Sequence, residues 1–376
     1  MRTFITVSLK QRTRRDIHLP VLKASGTLVF FAPACQRLNC IYHKEGIMVR
    51  LACIGTNFIT DWLMEGVQEL DGIELTAVYS RTMEKGKEFA GKYGVEKVYD
   101  NFEELAKDSD IDAVYVASPT YCHFKHTMMM LNHKKHVLCE KPVASNLTEL
   151  ELMVKAAKDN QVIFMEAMKS VHTPGYKAML EHLPKLGAIR RATIQYCQYS
   201  SRYDKFKMGI IENAFKPELS NGAVMDIGVY CVHFLAALFG MPDKILADAI
   251  FLDNGVDGAG TIIASYGDKQ AEVIYSKITN SKLPTQIQGE KGCMIISECP
   301  NPQEIKILYN DGTEEFLEFE SRENPMKYET ETFLELIGTN QVDHPYLEAS
   351  VIEMKIIDEA RRQTGIVFPA DKIREQ

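Results

Sequence analysis

The chain has 376 residues, 45% of them hydrophobic and 25% charged, which is long enough for two domains with cores of their own. Its formal net charge of −8 excludes nucleic acid as a bulk partner, because phosphate binding calls for a basic surface. No wholly apolar run reaches the roughly 18 residues needed to span a bilayer, so no membrane partner is expected, and the nine scattered cysteines without a CxxC pair point to reduced thiols in the cytoplasm rather than a disulfide framework or a metal site.

Residues 1–47 stand apart from the rest. They hold eight Lys or Arg and two acids, leaving 35 basic and 49 acidic residues in the remainder. Three readings compete. One is an export signal, with Arg14-Arg15 upstream of the short apolar run 26-GTLVFFAPAC-35. The second is a basic, disordered arm. The third is a non-native extension, translated from DNA ahead of the true start. The third is preferred, because 44-KEGIM-48 is what a purine-rich ribosome-binding site would encode in frame before a start codon. A chain starting at Met48 is therefore expected to fold normally.

From Met48 the pattern becomes regular. The apolar, β-rich run 49-VRLACIG-55 predicts a strand, followed by a helix over 59–70. Next come a strand at 73–80, a helix at 82–94, a short strand around Val98 and a helix at 102–107. The series continues with a strand at 113–118, a helix at 122–132, a strand at 136–139, a helix at 147–159 and a strand at 162–166. Such alternation with short loops predicts parallel βαβ units in a doubly wound Rossmann sheet, occupying residues 48–168. From residue 169 to 376 a second, α+β domain is expected. Its β-rich stretches are 188–200, 245–252, 260–267, 270–278, 285–297 and 304–310, forming a large, mostly antiparallel open sheet. A long helix over 349–362 closes the chain. The methionine run 128–130 and His233 read as packing residues.

A parallel sheet of this kind binds its ligand at the carboxyl ends of the strands. The first strand ends at Gly55, before Thr56, Asn57, Phe58 and Ile59. A full GxGxxG turn would place glycine at 55, 57 and 60, where this chain has Gly55, Asn57 and Thr60. The second strand ends at Ser80-Arg81, with no acidic residue to hold a ribose 2′-hydroxyl; a Ser-Arg pair suits the 2′-phosphate of NADP in preference to NAD. Later strands end at Ser118-Pro119-Thr120 and at Glu140-Lys141-Pro142.

The runs IGTN, SPT and CEKP after strands, together with 221-NGAVMDIGVYCVHF-234, resemble the glucose–fructose oxidoreductase/inositol dehydrogenase (Gfo/Idh/MocA) family, nearest its dihydrodiol-dehydrogenase-like branch. The resemblance runs from Met48 through essentially the whole remaining chain. It implies an NAD(P)-dependent oxidoreductase that moves a hydride between a nicotinamide cofactor and a carbinol of a sugar, polyol or cyclic diol. It also implies a homodimer or homotetramer assembled through the open sheet. His123 matches a histidine often found near the cofactor in the family, and His172 stands where many members carry arginine. Arg202 and Tyr203 are candidates for binding a polyhydroxy or anionic substrate, or else ordinary sheet-face residues.

The chemistry can be argued from the residues themselves. Oxidising a carbinol removes a hydride, which the cofactor takes, and a proton, which the protein must take. Lys141 supplies a cation beside the developing alkoxide, Glu140 orients it and Pro142 stiffens the turn, with a cis bond as one means. On a helix Asp226 and Tyr230 are i and i+4 and share a face. A tyrosine is too weak a base unless a neighbouring cation lowers its pKa, so Lys141 and Tyr230 are expected to act as a pair, with Asp226 orienting them or the substrate. The competing reading is a catalytically silent NAD(P)-binding sensor. The intact Lys141, Asp226 and Tyr230 favour the enzyme, since a sensor needs none of them.

Overall fold

In a computed structural model the structure describes residues 48–375 apart from Ser321 and Glu323, with residues 373–375 as backbone only; the readings of residues 1–47 lie outside the described residues. Six parallel strands, β1 (Val49–Ile54), β2 (Ile73–Tyr79), β3 (Lys97–Tyr99), β4 (Ala113–Val116), β5 (His136–Glu140) and β6 (Phe164–Ala167), pair in the order β3-β2-β1-β4-β5-β6. The helices between them are α1 (Phe58–Gln68), α2 (Met83–Lys92), α3 (Phe102–Lys107), α4 (Thr120–Asn132) and α5 (Leu147–Asn160). Strands β1 and β4 are buried on both faces, as Leu51, Ala52, Cys53 and Ile54 and then Val114, Tyr115 and Val116 show, and this explains why they read as continuous apolar runs. The strand order reverses direction between β1 and β4. That opens a crevice at their carboxyl ends.

After α6 (Pro174–His182) the chain builds a second sheet from β7 (Ile189–Cys197), β8 (Lys244–Phe251), β9 (Asp257–Ser265), β10 (Gln270–Ser276), β11 (Thr285–Gly289), β12 (Gly292–Ile296), β13 (Ile305–Tyr309) and β14 (Glu314–Phe316). Their order is β14-β13-β12-β11-β7-β10-β9-β8, with β7 and β10 parallel and the other pairs antiparallel. The stretch 285–297, expected as one strand, is a hairpin that turns at Glu290-Lys291. The expectation for 188–200 is also corrected, because the strand stops at Cys197 and the short helix α7 (Ser201–Lys207) follows.

Helix α8 (Val229–Phe239) lies behind the second sheet and continues a π-helical turn at Val224–Gly228. The run 217–239 is apolar and long enough to cross a membrane by length and composition, although Glu218 and Asp226 interrupt it, and 78% of its most apolar stretch is buried inside the fold. It is a core helix of this protein. Two more helices, α9 (Met326–Thr339) and α10 (Pro345–Thr364), return to the first sheet, where α9 packs on α1 and α10 packs on α5 and α8. The first of these was not expected. Its charged residues are frequent enough to mask its apolar stripe.

The returning helices brace the turn that follows β5. Arg361 on α10 donates to the Ser145 carbonyl at 3.1 Å and pairs with Asp358 at 2.8 Å and with Asp371. Glu166, at the end of β6, accepts from the Val143 amide at 3.0 Å and from the Ser350 hydroxyl at 2.6 Å, while His233 Nδ1 lies 2.6 Å from Glu353 beside them. Burial, with the Glu353 charge adding to it, pushes the Glu166 carboxyl from its ordinary 4.5 up to about 8. The folded chain therefore keeps a proton that the unfolded chain gives up. Stabilisation from this proton is complete below about pH 4.5 and is lost as pH rises to about 8. Urea unfolding of Glu166→Gln, which imitates the protonated form, should show a flatter stability curve across that window than the unsubstituted chain.

Candidate active site

The turn after β1 is built around Gly55, whose φ of +113° suits glycine, and where a Cβ would stand 2.7 Å from the Ala117 carbonyl oxygen at the end of β4. Asn57 occupies the second glycine position of the fingerprint. Its Oδ1 caps α1 by accepting from the Ile59 amide at 3.0 Å, and its Nδ2 donates to Ala117 O at 3.1 Å. Thr60 stands at the third position and is buried, so this side of the turn is tied by side chains where glycines would leave it open. Thr56 and the exposed Phe58 flank the crevice. At the end of β2, Ser80 is buried, whereas Arg81 is exposed and makes no hydrogen bond or ion pair among the described residues. A tight glycine turn, a helix N-terminus and a free guanidinium together fit a phosphorylated dinucleotide.

Pro119 and Thr120 start α4 beyond β4, and His123 lies one turn on. His123 is 1% exposed, with Nδ1 2.9 Å from Pro142 O and Nε2 2.7 Å from Ser118 O. It links the loops after β4 and β5. This corrects the expectation of a cofactor contact, since neither ring nitrogen is free. Burial pulls its pKa down to about 4, so the neutral ring donates to only one of the two carbonyls.

Lys141 emerges from the end of β5, ahead of a cis Lys141–Pro142 bond. Its Nζ donates to the Asp226 carbonyl at 2.7 Å, pairs with Asp226 Oδ1 at 3.2 Å and lies 4.7 Å above the Tyr230 ring. Glu140 does not reach that ammonium. It accepts from Tyr115 Oη at 2.5 Å and from the Lys141 backbone amide at 3.2 Å, so it positions the lysine's main chain rather than its charge. The other oxygen of Asp226 is taken by Lys277, which also donates to the Ala214 carbonyl at 3.1 Å and lies 4.8 Å over the Phe215 ring. Tyr196 meets Tyr230 edge-on with ring centroids 6.0 Å apart.

Asp226 and Tyr230 do face Lys141, but through the π-helical turn rather than a plain α-helical i, i+4 step. That turn explains the small residues before it. Gly222 has φ +157°, and a Cβ there would come within 1.9 Å of Asp257 Oδ1, the carboxylate whose other oxygen accepts from the Val224 amide at 2.7 Å.

A family pattern described as the oxidoreductase family with an NAD-binding Rossmann fold matches residues 49–168, and one described as the GFO/IDH/MocA C-terminal domain matches residues 183–295. The chain belongs to the Gfo/Idh/MocA oxidoreductase family. It is 46% identical over 327 residues to scyllo-inositol 2-dehydrogenase (NADP(+)) IolU of Bacillus subtilis, covering 86% of this chain and all of that protein. It is 30% identical to trans-1,2-dihydrobenzene-1,2-diol dehydrogenase of Xenopus tropicalis, over 79% of this chain and 91% of that one. Its fold is shared with the 3-ketoreductase KijD10 of Actinomadura kijaniata, solved with NADP and TDP-benzene, at a TM-score of 0.75 and 19% identity, over 84% of this chain and 98% of that one. The protein is a nicotinamide-dependent dehydrogenase that acts on CH–OH groups.

In this Gfo/Idh/MocA enzyme the electrostatics correct one expectation. Burial raises the Tyr230 phenol, and the Lys141 ammonium, which pulls the other way, does not overcome it; Glu140 and Asp226 reinforce the rise. Burial likewise opposes the charge on Lys141, but Tyr230, Asp226 and Glu140 hold its pKa above the ordinary lysine range. Asp226 would also be raised by burial, yet Lys141 and Lys277 hold it well below the ordinary carboxylate range.

The proposed substrate residues divide. His172 is 1% exposed, with Nδ1 3.1 Å from Thr332 Oγ1 and its ring against Tyr346, so it packs helices together and is closed to a substrate. Arg202 and Tyr203 lie on α7, not on a sheet face. Arg202 pairs with Glu212 at 3.3 Å, and Tyr203 packs against Phe206 and Phe215, beside Lys277. Lys277 and Tyr196 were missed. Lys277 ends the apolar run 270-QAEVIYSKI-278 just as Lys141 ends its own, and that shared pattern was the available signal. Gly222→Ala must break the Asp257 bond to the Val224 amide or shift the π-helical turn. It should cost at least about 2 kcal/mol in unfolding free energy and most of the activity, measured side by side.

Proposed function

We propose that the chain is an NADP-preferring dehydrogenase of cyclic polyols or diols, with Lys141, Tyr230 and Asp226 as its reactive group. The observation that carries this reading is the Lys141 ammonium, held at a strand end by Asp226 and stacked over Tyr230. The names of the two curated relatives, an NADP-dependent inositol dehydrogenase and a dihydrodiol dehydrogenase, support the substrate class. Residues Gly55, Thr56, Asn57, Phe58, Ile59, Ser80, Arg81, Ser118, Pro119 and Thr120 would line the dinucleotide, with Arg81 on the 2′-phosphate. Arg202 and Tyr203 flank the substrate side.

When bound, the nicotinamide supplies the hydride chemistry. The chain's own residues handle the oxygen and its proton. Lys141 holds the oxygen and stabilises negative charge on it. Tyr230 exchanges the hydroxyl proton, and Asp226 keeps Lys141 in place. Because burial holds the proton on Tyr230, the resting phenol is ready to donate to a carbonyl at neutral pH, and oxidation should quicken as pH rises and phenolate forms. Residues 48–168 would serve as the cofactor domain and 169–376 as the substrate and assembly domain. The open face of the second sheet carries the exposed Leu246, Ile250 and Phe316, which suits burial in a homodimer or homotetramer. The described cysteines are all free, which fits the cytoplasm.

Lys141→Met keeps the stem and removes the charge. It should lower kcat for NADP-dependent oxidation of scyllo-inositol by about 10²–10⁴ with NADP affinity nearly intact, and Tyr230→Phe should do likewise. The double variant should be little worse than the worse single one. In Lys141→Met the basic limb of the oxidation profile should also move to higher pH, since a cation that opposes the rise of Tyr230 is gone. Full activity with an unmoved profile would make Lys141 a turn residue. Arg81→Ala should weaken NADP binding by about 1–3 kcal/mol and leave NAD nearly unchanged in a titration, whereas equal loss for both would show that Arg81 does not read the phosphate.

A further inference from the structure

The carboxylate of Asp226 has two cations where one would neutralise it. Lys141 takes Oδ1 from the carboxyl end of β5, and Lys277 takes Oδ2 from the end of β10. Lys277 is 2% exposed. Burying an ammonium is costly, and a methionine in its place could pack on Phe215 without that cost. Folding alone would therefore be served by one lysine. Lys277 balances the Asp226 carboxylate, whose charge, with that of Glu140, otherwise opposes a phenolate at Tyr230.

We propose that Lys277 is a positioning residue for the dehydrogenase reaction: it occupies one oxygen of Asp226 so that the other is committed to Lys141, and its charge offsets the carboxylate that opposes a phenolate at Tyr230. This inference rests on the reading of Lys141, Asp226 and Tyr230 as the reactive group. Its geometry adds a link to the substrate side, because the same Nζ donates to Ala214, in the segment that follows α7. The groups facing Tyr230 are Lys141, Glu140, Asp226 and Tyr196, and those facing Lys277 are Asp226, Lys141 and Arg202. Arg202 is already paired with Glu212. Glu140 accepts from Tyr115 and is balanced by Lys141 and, more weakly, by Lys169. Burial pulls the Lys277 ammonium down while Asp226 holds it up, so its charge depends on that carboxylate.

The test compares the full chain with Lys277→Met and Lys277→Arg in two measurements. The first is the pH profile of scyllo-inositol oxidation with NADP. The second needs no turnover: it is the titration of Tyr230, read as tyrosinate absorbance by difference from Tyr230→Phe in each background. In Lys277→Met, kcat should fall about 10- to 100-fold with NADP affinity unchanged. The basic limb and the Tyr230 titration should both move to higher pH, and Lys277→Arg should restore most of the rate and the profile. An unmoved Tyr230 titration in a folded Lys277→Met would overturn the proposal. So would Lys277→Arg being as impaired as Lys277→Met with no change in profile, which would mark a packing role. If Lys277→Met does not fold, Lys277→Arg decides alone, since a charge role requires it to keep the profile. Failure of the unsubstituted chain to oxidise scyllo-inositol counts against the substrate class, while the Tyr230 titration still decides Lys277.

Discussion

An ammonium from a strand end of the first sheet and a carboxylate from the π-helical turn behind the second meet at 3.2 Å, and the rest of the molecule can be understood as the means of keeping them there. Lys141 and Asp226 are 85 residues apart in sequence. At this separation and an effective dielectric near 20 the gross attraction is about 5 kcal/mol, and desolvation of two part-buried ions offsets much of it. The pair therefore contributes little to net stability. Its value is positional: it brings the reactive cation of the dinucleotide-binding sheet onto the helix that carries Tyr230.

Three ties hold the Lys141 turn from behind. His123 joins it to the loop after β4, Glu166 accepts its Val143 amide, and Arg361 holds the Ser145 carbonyl from the last long helix. On the opposite side Asp257 grips the Val224 amide at the start of the π-helical turn, which is possible only because residue 222 has no side chain. Each tie is a hydrogen bond to the backbone from a buried, otherwise costly polar group. The two signature runs of the family thus owe much of their residue content to anchoring. Lys141, Asp226 and Tyr230 instead meet one another between the two runs.

The same burial that makes the anchors firm sets the resting protonation of the site. Tyr230 keeps its proton because removing it from water outweighs the nearby cation. The proposed proton transfer needs the phenol and phenolate forms close in energy, and the Lys141 ammonium works against burial to that end. Lys169, 5.3 Å above the Trp62 ring, extends the positive charge towards α1, while burial pushes the Glu329 carboxyl beside it well above the ordinary carboxylate range.

Sequence alone determined the first sheet almost residue for residue, because a doubly buried parallel strand must be a continuous apolar run and the helices between strands repeat at the helical period. It also determined Lys141 as a candidate, since strand ends in such a sheet are where polar residues meet a ligand, and Asp226 and Tyr230 through their i, i+4 spacing and the family resemblance. Only the tertiary structure decided what those residues touch. Whether His123 and His172 face a crevice or a core depends on helices more than 150 residues away in the second case, and no local pattern encodes that. The partnership of Lys277 with Asp226 and the return of α9 onto α1 are likewise contacts between distant segments. So is the protonation of Tyr230: a nearby lysine can be guessed from spacing, but the desolvation that outweighs it comes from every wall of the site at once.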